Sequence, residues 1–152
     1  MRRVVAAATA LFLLALAGCG GDDAEVYEPE ARAAADSFVR ALVANGDPRL
    51  AATFADGDAR QHLDLWVDHF ARDGVRTVEG PGSARRNCVK PFPVFAPPRA
   101  GSCIIYRLVG LMPIGGSART LVTTARFRVW LAESNGRWRV SEFDYAPHLE
   151  TR

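Results

Sequence analysis

At 152 residues, the chain has room for one hydrophobic core and hardly for two. Its 19 lysines and arginines against 17 acidic residues leave a formal net charge of +2. That is too little to build the concentrated basic surface of a nucleic-acid groove or to recruit the chain strongly to anionic lipid.

Arg2 and Arg3 precede an apolar stretch from Val4 to Ala17, too short to cross a hydrocarbon core of ~30 Å comfortably as a helix. It reads as an export signal. Leu16-Ala17-Gly18-Cys19 resembles the lipobox of bacterial lipoproteins. The resemblance implies that the Cys19 sulfur accepts a diacylglycerol, the nucleophile being a thiol, and that the chain is cut just before Cys19. Two or three acyl chains hold a protein stably to a membrane where one does not. Residues 1–18 are then a signal peptide and residues 19–27 a lipidated tether: small, acidic and without periodicity. The expected location is extracytoplasmic, lipid-anchored to the bacterial cell membrane. An uncleaved anchor, or an unlipidated signal with an incidental cysteine, are the alternatives. Without residues 1–18 the basic and acidic counts are equal at 17, since Arg2 and Arg3 go with them.

Glu28-Pro29-Glu30 predicts a helix start, with proline in the first turn and carboxylates at the positive end of the dipole. Ala31, Ala34, Ala35, Phe38, Val39, Leu42 and Val43 recur at helical spacing, and Asn45-Gly46 ends the run. Asp47-Pro48 begins a short second helix with Asp47 as its cap, ending at Asp56-Gly57. A third helix is expected from Asp58, where Asp58 and Gln61 form a capping pair. It carries Leu63, Trp66, Val67 and Phe70 on its buried face and stops at Gly74.

From Val75 the period becomes two. Val75 to Glu79 predicts a short strand, followed by a Gly/Pro/Ser loop over 80–84 and an edge segment near Cys88. Cys103 to Leu111 is the most apolar strand, with Ile104, Tyr106 and Leu108 on one face and Ile105, Val109 and Leu111 on the other. Such a strand calls for cover on both faces.

If Cys19 carries lipid, Cys88 and Cys103 remain as an even pair in a compartment that permits oxidation. A disulfide is expected, with a reactive dithiol or two free buried thiols as alternatives. The four prolines between them exclude a central strand there.

Arg119 to Ala132 alternates, with Leu121, Thr123, Ala125, Phe127, Val129 and Leu131 opposite Thr124, Arg126, Arg128 and Trp130. Asn135-Gly136 is a two-residue hairpin turn, because both positions need positive φ, and Arg137 to Tyr145 returns. Counting outward, Leu131 faces Val140, but strict pairing would set Val129 against Glu142. One extra residue at Ser141/Glu142 restores Val129 to Phe143 and Phe127 to Tyr145, so a β-bulge is predicted there. Arg128 then stands opposite Asp144.

The expected fold is α+β: three N-terminal helices packed on a curved antiparallel sheet over residues 28–146, with a tail at 147–152. This element order, Gly46-Asp47-Pro48 and Gly136-Arg137-Trp138-Arg139-Val140 together resemble the nuclear transport factor 2-like superfamily, the cone fold shared with ketosteroid isomerases. The resemblance implies a pocket between the helices and the concave sheet and, often, homodimers through the outer sheet. It implies no activity, since binding modules and enzymes share the fold. Isomerases of this fold use a pocket carboxylate and a tyrosine donor, for which Asp64 and Tyr106 are the candidates.

On the third helix, His62 and His69 are two turns apart and cannot grip one metal. Asp58 with His62, or His69 with Asp73, offers only two ligands, so neither a metal nor another cofactor is expected. Asp68 and Arg72 form an i,i+4 pair on a solvated face. Arg126, Arg128 and Trp130 mark a candidate interface; otherwise the tryptophan lies over arginine stems. The functional expectation is a non-catalytic module for a small apolar ligand or a protein partner. An isomerase- or hydratase-like enzyme and an assembly subunit of an envelope complex are the alternatives.

Overall fold

A computed structural model of the chain describes residues 27–90, 100–116 and 120–151. The leader, Cys19 and the tether through residue 26 lie outside the described residues, as do 91–99 and 117–119. Helices come first and a four-stranded antiparallel sheet follows, an α+β arrangement.

Helix α1 spans Pro29–Val39, with Pro29 at its first position and Glu28 extended before it. Ala31, Ala35, Phe38 and Val39 are buried along one stripe. The helix does not end there but widens into a π-turn over Arg40–Ala44, sealed by the Asn45 N–H donating to the Arg40 carbonyl at 3.0 Å. The wider turn lets three consecutive residues, Ala41, Leu42 and Val43, all be buried, beyond the single stripe of a regular α-helix. Gly46 then adopts positive φ. Asp47 caps helix α2 (Pro48–Ala52) by accepting the Leu50 N–H at 2.9 Å.

The third helix departs from expectation. Residues Gly57–Arg60 form a 3₁₀ turn, capped by Asp56 rather than by an Asp58–Gln61 pair, and helix α3 begins only at Leu63 and runs to Arg72. Between them His62 sits at φ 56°. The cause is a tie to the sheet: Asp56 N–H donates to the Val140 carbonyl (2.9 Å) and Val140 N–H to the Phe54 carbonyl (2.8 Å). The chain leaves that tie along the sheet edge and must change direction before α3 can bury Leu63 and Phe70.

Strands β1 (Val75–Val89), β2 (Ala100–Pro113), β3 (Thr120–Ser134) and β4 (Arg137–Thr151) lie side by side in chain order. The loop expected over 80–84 is part of β1. Glu79 pairs with Arg107 and Ser83 with Ile105, so Gly80, Pro81 and Gly82 all stand opposite Tyr106. Glycine and proline are accommodated because β1 is an edge strand and these residues form a bulge. At the other edge β4 continues beyond Tyr145, pairing with β3 as far as Thr151 and Leu121, so 147–151 is strand where a tail was expected.

The hairpin register is as predicted. Leu131 pairs with Val140, Trp130 with Glu142, Val129 with Phe143, Arg128 with Asp144 and Phe127 with Tyr145, leaving Ser141 as the extra residue. Ile104, Tyr106, Leu108, Phe127 and Val129 are buried on the inner face, in one cluster with Phe38, Leu42 and Phe70. Cover on the outer face of β2 is incomplete: Ile105 and Val109 are half-buried and Leu111 is 63% exposed. A single layer of helices has only one face of a sheet to cover. Gly110 marks where the end of α3 crosses β2, since a Cβ there would stand 2.8 Å from the Asp73 carbonyl oxygen.

Candidate functional site

The space between the helices and the sheet is filled with rings. Phe70 lies 5.9 Å from Phe127 and 5.0 Å from Tyr145 between ring centres, Trp66 lies 5.2 Å from Phe143, and Phe38 lies 5.6 Å from Phe143. A half-open cleft of about 560 Å³ remains beside this core, where α1 and the π-turn face the start of β1. Asp36, Val39, Arg40, Asn45, Arg76, Thr77, Val78, Gly80, Pro81 and Tyr106 are among the residues lining it.

Tyr106 projects from β2 and donates its hydroxyl to Asp36 Oδ1 at 2.6 Å. The sequence candidate Asp64 does not take part, because it lies exposed on α3. Tyr106 therefore meets a carboxylate, but one from α1. Its pKa is raised well above the ordinary tyrosine value, first by burial and then by the bonded, negatively charged Asp36, with Arg32 opposing. The phenol is a fixed, protonated donor, and its hydroxyl hydrogen is already engaged in the bond to Asp36.

A second tyrosine–carboxylate pair lies at the far end of α3. Tyr145 donates to Asp73 Oδ2 at 2.8 Å, and His69 Nε2 approaches the same oxygen at 3.7 Å. Burial, then Asp73 itself, raises the Tyr145 pKa. The expected Asp68–Arg72 pair is replaced, as Arg72 Nη2 lies 3.5 Å from His69 Nδ1. Among the described residues no group of three or more His, Cys, Asp or Glu side chains is placed to hold a metal ion.

On the outer face Cys88 and Cys103 form a disulfide with Cα atoms 5.9 Å apart. They pack with Trp130, which is 1% exposed, and with Ile105. Trp130 is thus not a surface residue. The disulfide closes over it, and Arg128 lies with its guanidinium 5.4 Å from the indole centre. Arg128 is also committed to Asp144, its Nε donating to Oδ2 at 3.0 Å. Of the three interface candidates only Arg126 is exposed.

Sequence reasoning missed Asp36, Arg40 and Arg76. Asp36 had a signal, since it borders the apolar stripe of α1 beside Ala35. Arg40 and Arg76 had none, because their placement depends on a π-turn and on a strand irregularity at Val75/Thr77. No helix among the described residues is long and apolar enough to cross a membrane. No protein-family model, curated protein or solved structure matches the chain.

Proposed function

We propose that this is an extracytoplasmic lipoprotein, anchored to the bacterial membrane through lipid on Cys19, whose domain is a nuclear transport factor 2-like cone acting as a non-catalytic binding module. The leader and Leu16-Ala17-Gly18-Cys19 support the anchor, and helices laid on one face of a bulged antiparallel sheet support the cone. One observation carries the binding role. The interior, where a cone enzyme would seat its substrate, is packed with Phe38, Trp66, Phe70, Phe127 and Phe143, and the cleft lined by Tyr106 and Asp36 lies at the rim of that core.

The enzyme alternative keeps one point in its favour, the convergence of Tyr106 and Asp36 on that cleft. Both readings meet one experiment. The full chain is expressed in a bacterium, extracted from membranes and weighed intact, and small molecules released on denaturation are identified. A chain beginning at acylated Cys19 with a ligand recovered unchanged is the expected result. A chain beginning at Met1, or with a bare Cys19 thiol, removes the anchor. Conversion of the released ligand by fresh protein, lost in Asp36→Asn, makes the cleft catalytic.

A further inference from the structure

We infer that the rim cleft binds a small organic monocarboxylate, held by Arg40 and Arg76 against an apolar wall; this rests on the binding-module reading and names its ligand class. Three backbone irregularities converge on this cleft, each at a cost to regular hydrogen bonding. The π-turn supplies Arg40, Ala44 and Asn45. A register shift between Val75 and Thr77 leaves Arg76 as an extra residue in β1, and a second leaves Gly80, Pro81 and Gly82 opposite Tyr106. π-Turns and bulges of this kind recur at functional sites, where they re-aim side chains.

Arg40 and Arg76 come from opposite walls, and neither makes an ion pair with an acidic group among the described residues. Every other cleft charge is accounted for by Asp36, which is bonded to Tyr106. Two planar guanidinium forks favour a carboxylate or a phosphate. Asp36 within the same cleft repels a dianion more than a monoanion, which argues against phosphate. Val39, Val78 and Pro81 call for an apolar body on the ligand, and the volume of about 560 Å³ is in the range that takes a small molecule rather than a bare ion.

Calorimetric titration of the full detergent-solubilised protein with benzoate, its neutral isostere benzamide and inorganic phosphate tests this. Benzoate should bind at least about ten-fold more tightly than either of the others. Arg40→Gln and Arg76→Gln should each weaken it by about ten-fold while leaving the circular dichroism spectrum and melting temperature in place. Arg86→Gln, on an exposed position outside the cleft, should leave affinity unchanged. Undetectable benzoate binding, equal binding of benzamide, tighter binding of phosphate, or benzoate affinity indifferent to both arginine variants each overturns the inference. A neutral or cationic molecule that co-extracts with the protein and is lost in Arg76→Gln would sink the carboxylate while leaving the binding module standing.

Discussion

Tyr106 in the middle of β2 and Asp36 in the middle of α1, 70 residues apart in sequence, share a 2.6 Å hydrogen bond that fastens the first helix to the sheet. Tyr106 is almost fully buried, and its hydroxyl donates to that carboxylate. Removing it in Tyr106→Phe leaves Asp36 without that donor and should cost about 1–3 kcal/mol in urea unfolding. A variant as stable as the parent would show that the bond is replaced by water without loss.

The same chemistry sets a pH dependence. The Tyr106 and Tyr145 pKa values are both raised from 10.0, by burial first and then by the bonded carboxylates. The folded chain therefore holds these protons more tightly than the unfolded chain. Their contribution is complete below about pH 10, the unfolded value, and is lost as pH climbs from there through the folded values. Unfolding free energy should fall as pH rises above about 10, and fall less steeply in the Tyr106→Phe/Tyr145→Phe double variant. Parallel curves for the two proteins would contradict this assignment.

Gly82 gives Tyr106 its room. A Cβ at this position would stand 2.4 Å from Ile104 Cγ2 and 2.6 Å from Tyr106 Cζ. Neither neighbour is free to retreat, since both are buried and Tyr106 is hydrogen-bonded. Gly82→Ala should destabilise by about 1–3 kcal/mol. Gly80→Ala, where nothing lies within 4 Å but φ is +67°, should show about 1 kcal/mol from backbone strain alone. Comparison of the two by denaturant titration separates crowding from strain.

Cys88 and Cys103 join β1 to β2 across 15 residues and roof the buried Trp130. The chain-entropy argument assigns such a closure about 3 kcal/mol. The Cys88→Ala/Cys103→Ala variant should lose about that much and red-shift the emission component of Trp130 as water reaches the indole. If thiol titration of the native protein finds two reactive groups, the bridge is absent and both effects vanish.

Arg128 and Asp144 face each other across β3 and β4, with side chains 24% and 28% exposed. A double-mutant cycle with Arg128→Ala and Asp144→Ala should return a coupling of about 0.2–1 kcal/mol. Arg128→Ala alone should cost more than that, because the guanidinium also lies over Trp130 and covers it.

How far the sequence reaches is clearest at Ser141. The bulge there was a matter of counting: a two-residue Asn-Gly turn fixes the register, alternation fixes the faces, and one residue must be surplus for Val129 to meet Phe143. The pairing of Arg128 with Asp144 followed from the same count. The strand at 80–84 was not legible, because Gly-Pro-Gly marks a loop in any local reading and only an edge position opposite Tyr106 makes it a bulge. Trp130 alternates onto the open face, and nothing local says that a disulfide between β1 and β2 will pack against it.

By itself, then, the amino-acid order determined the first two helices, the hairpin register and its bulge, and it pointed to the pairing of two cysteines, since these rest on periodicity, turn stereochemistry and parity within short spans. Tertiary structure decided which carboxylate meets Tyr106, where α3 begins and which arginines share a cleft. Those outcomes depend on how α1, with its π-turn, lies across a bulged sheet, and the packing of distant segments is not written in the spacing of neighbours.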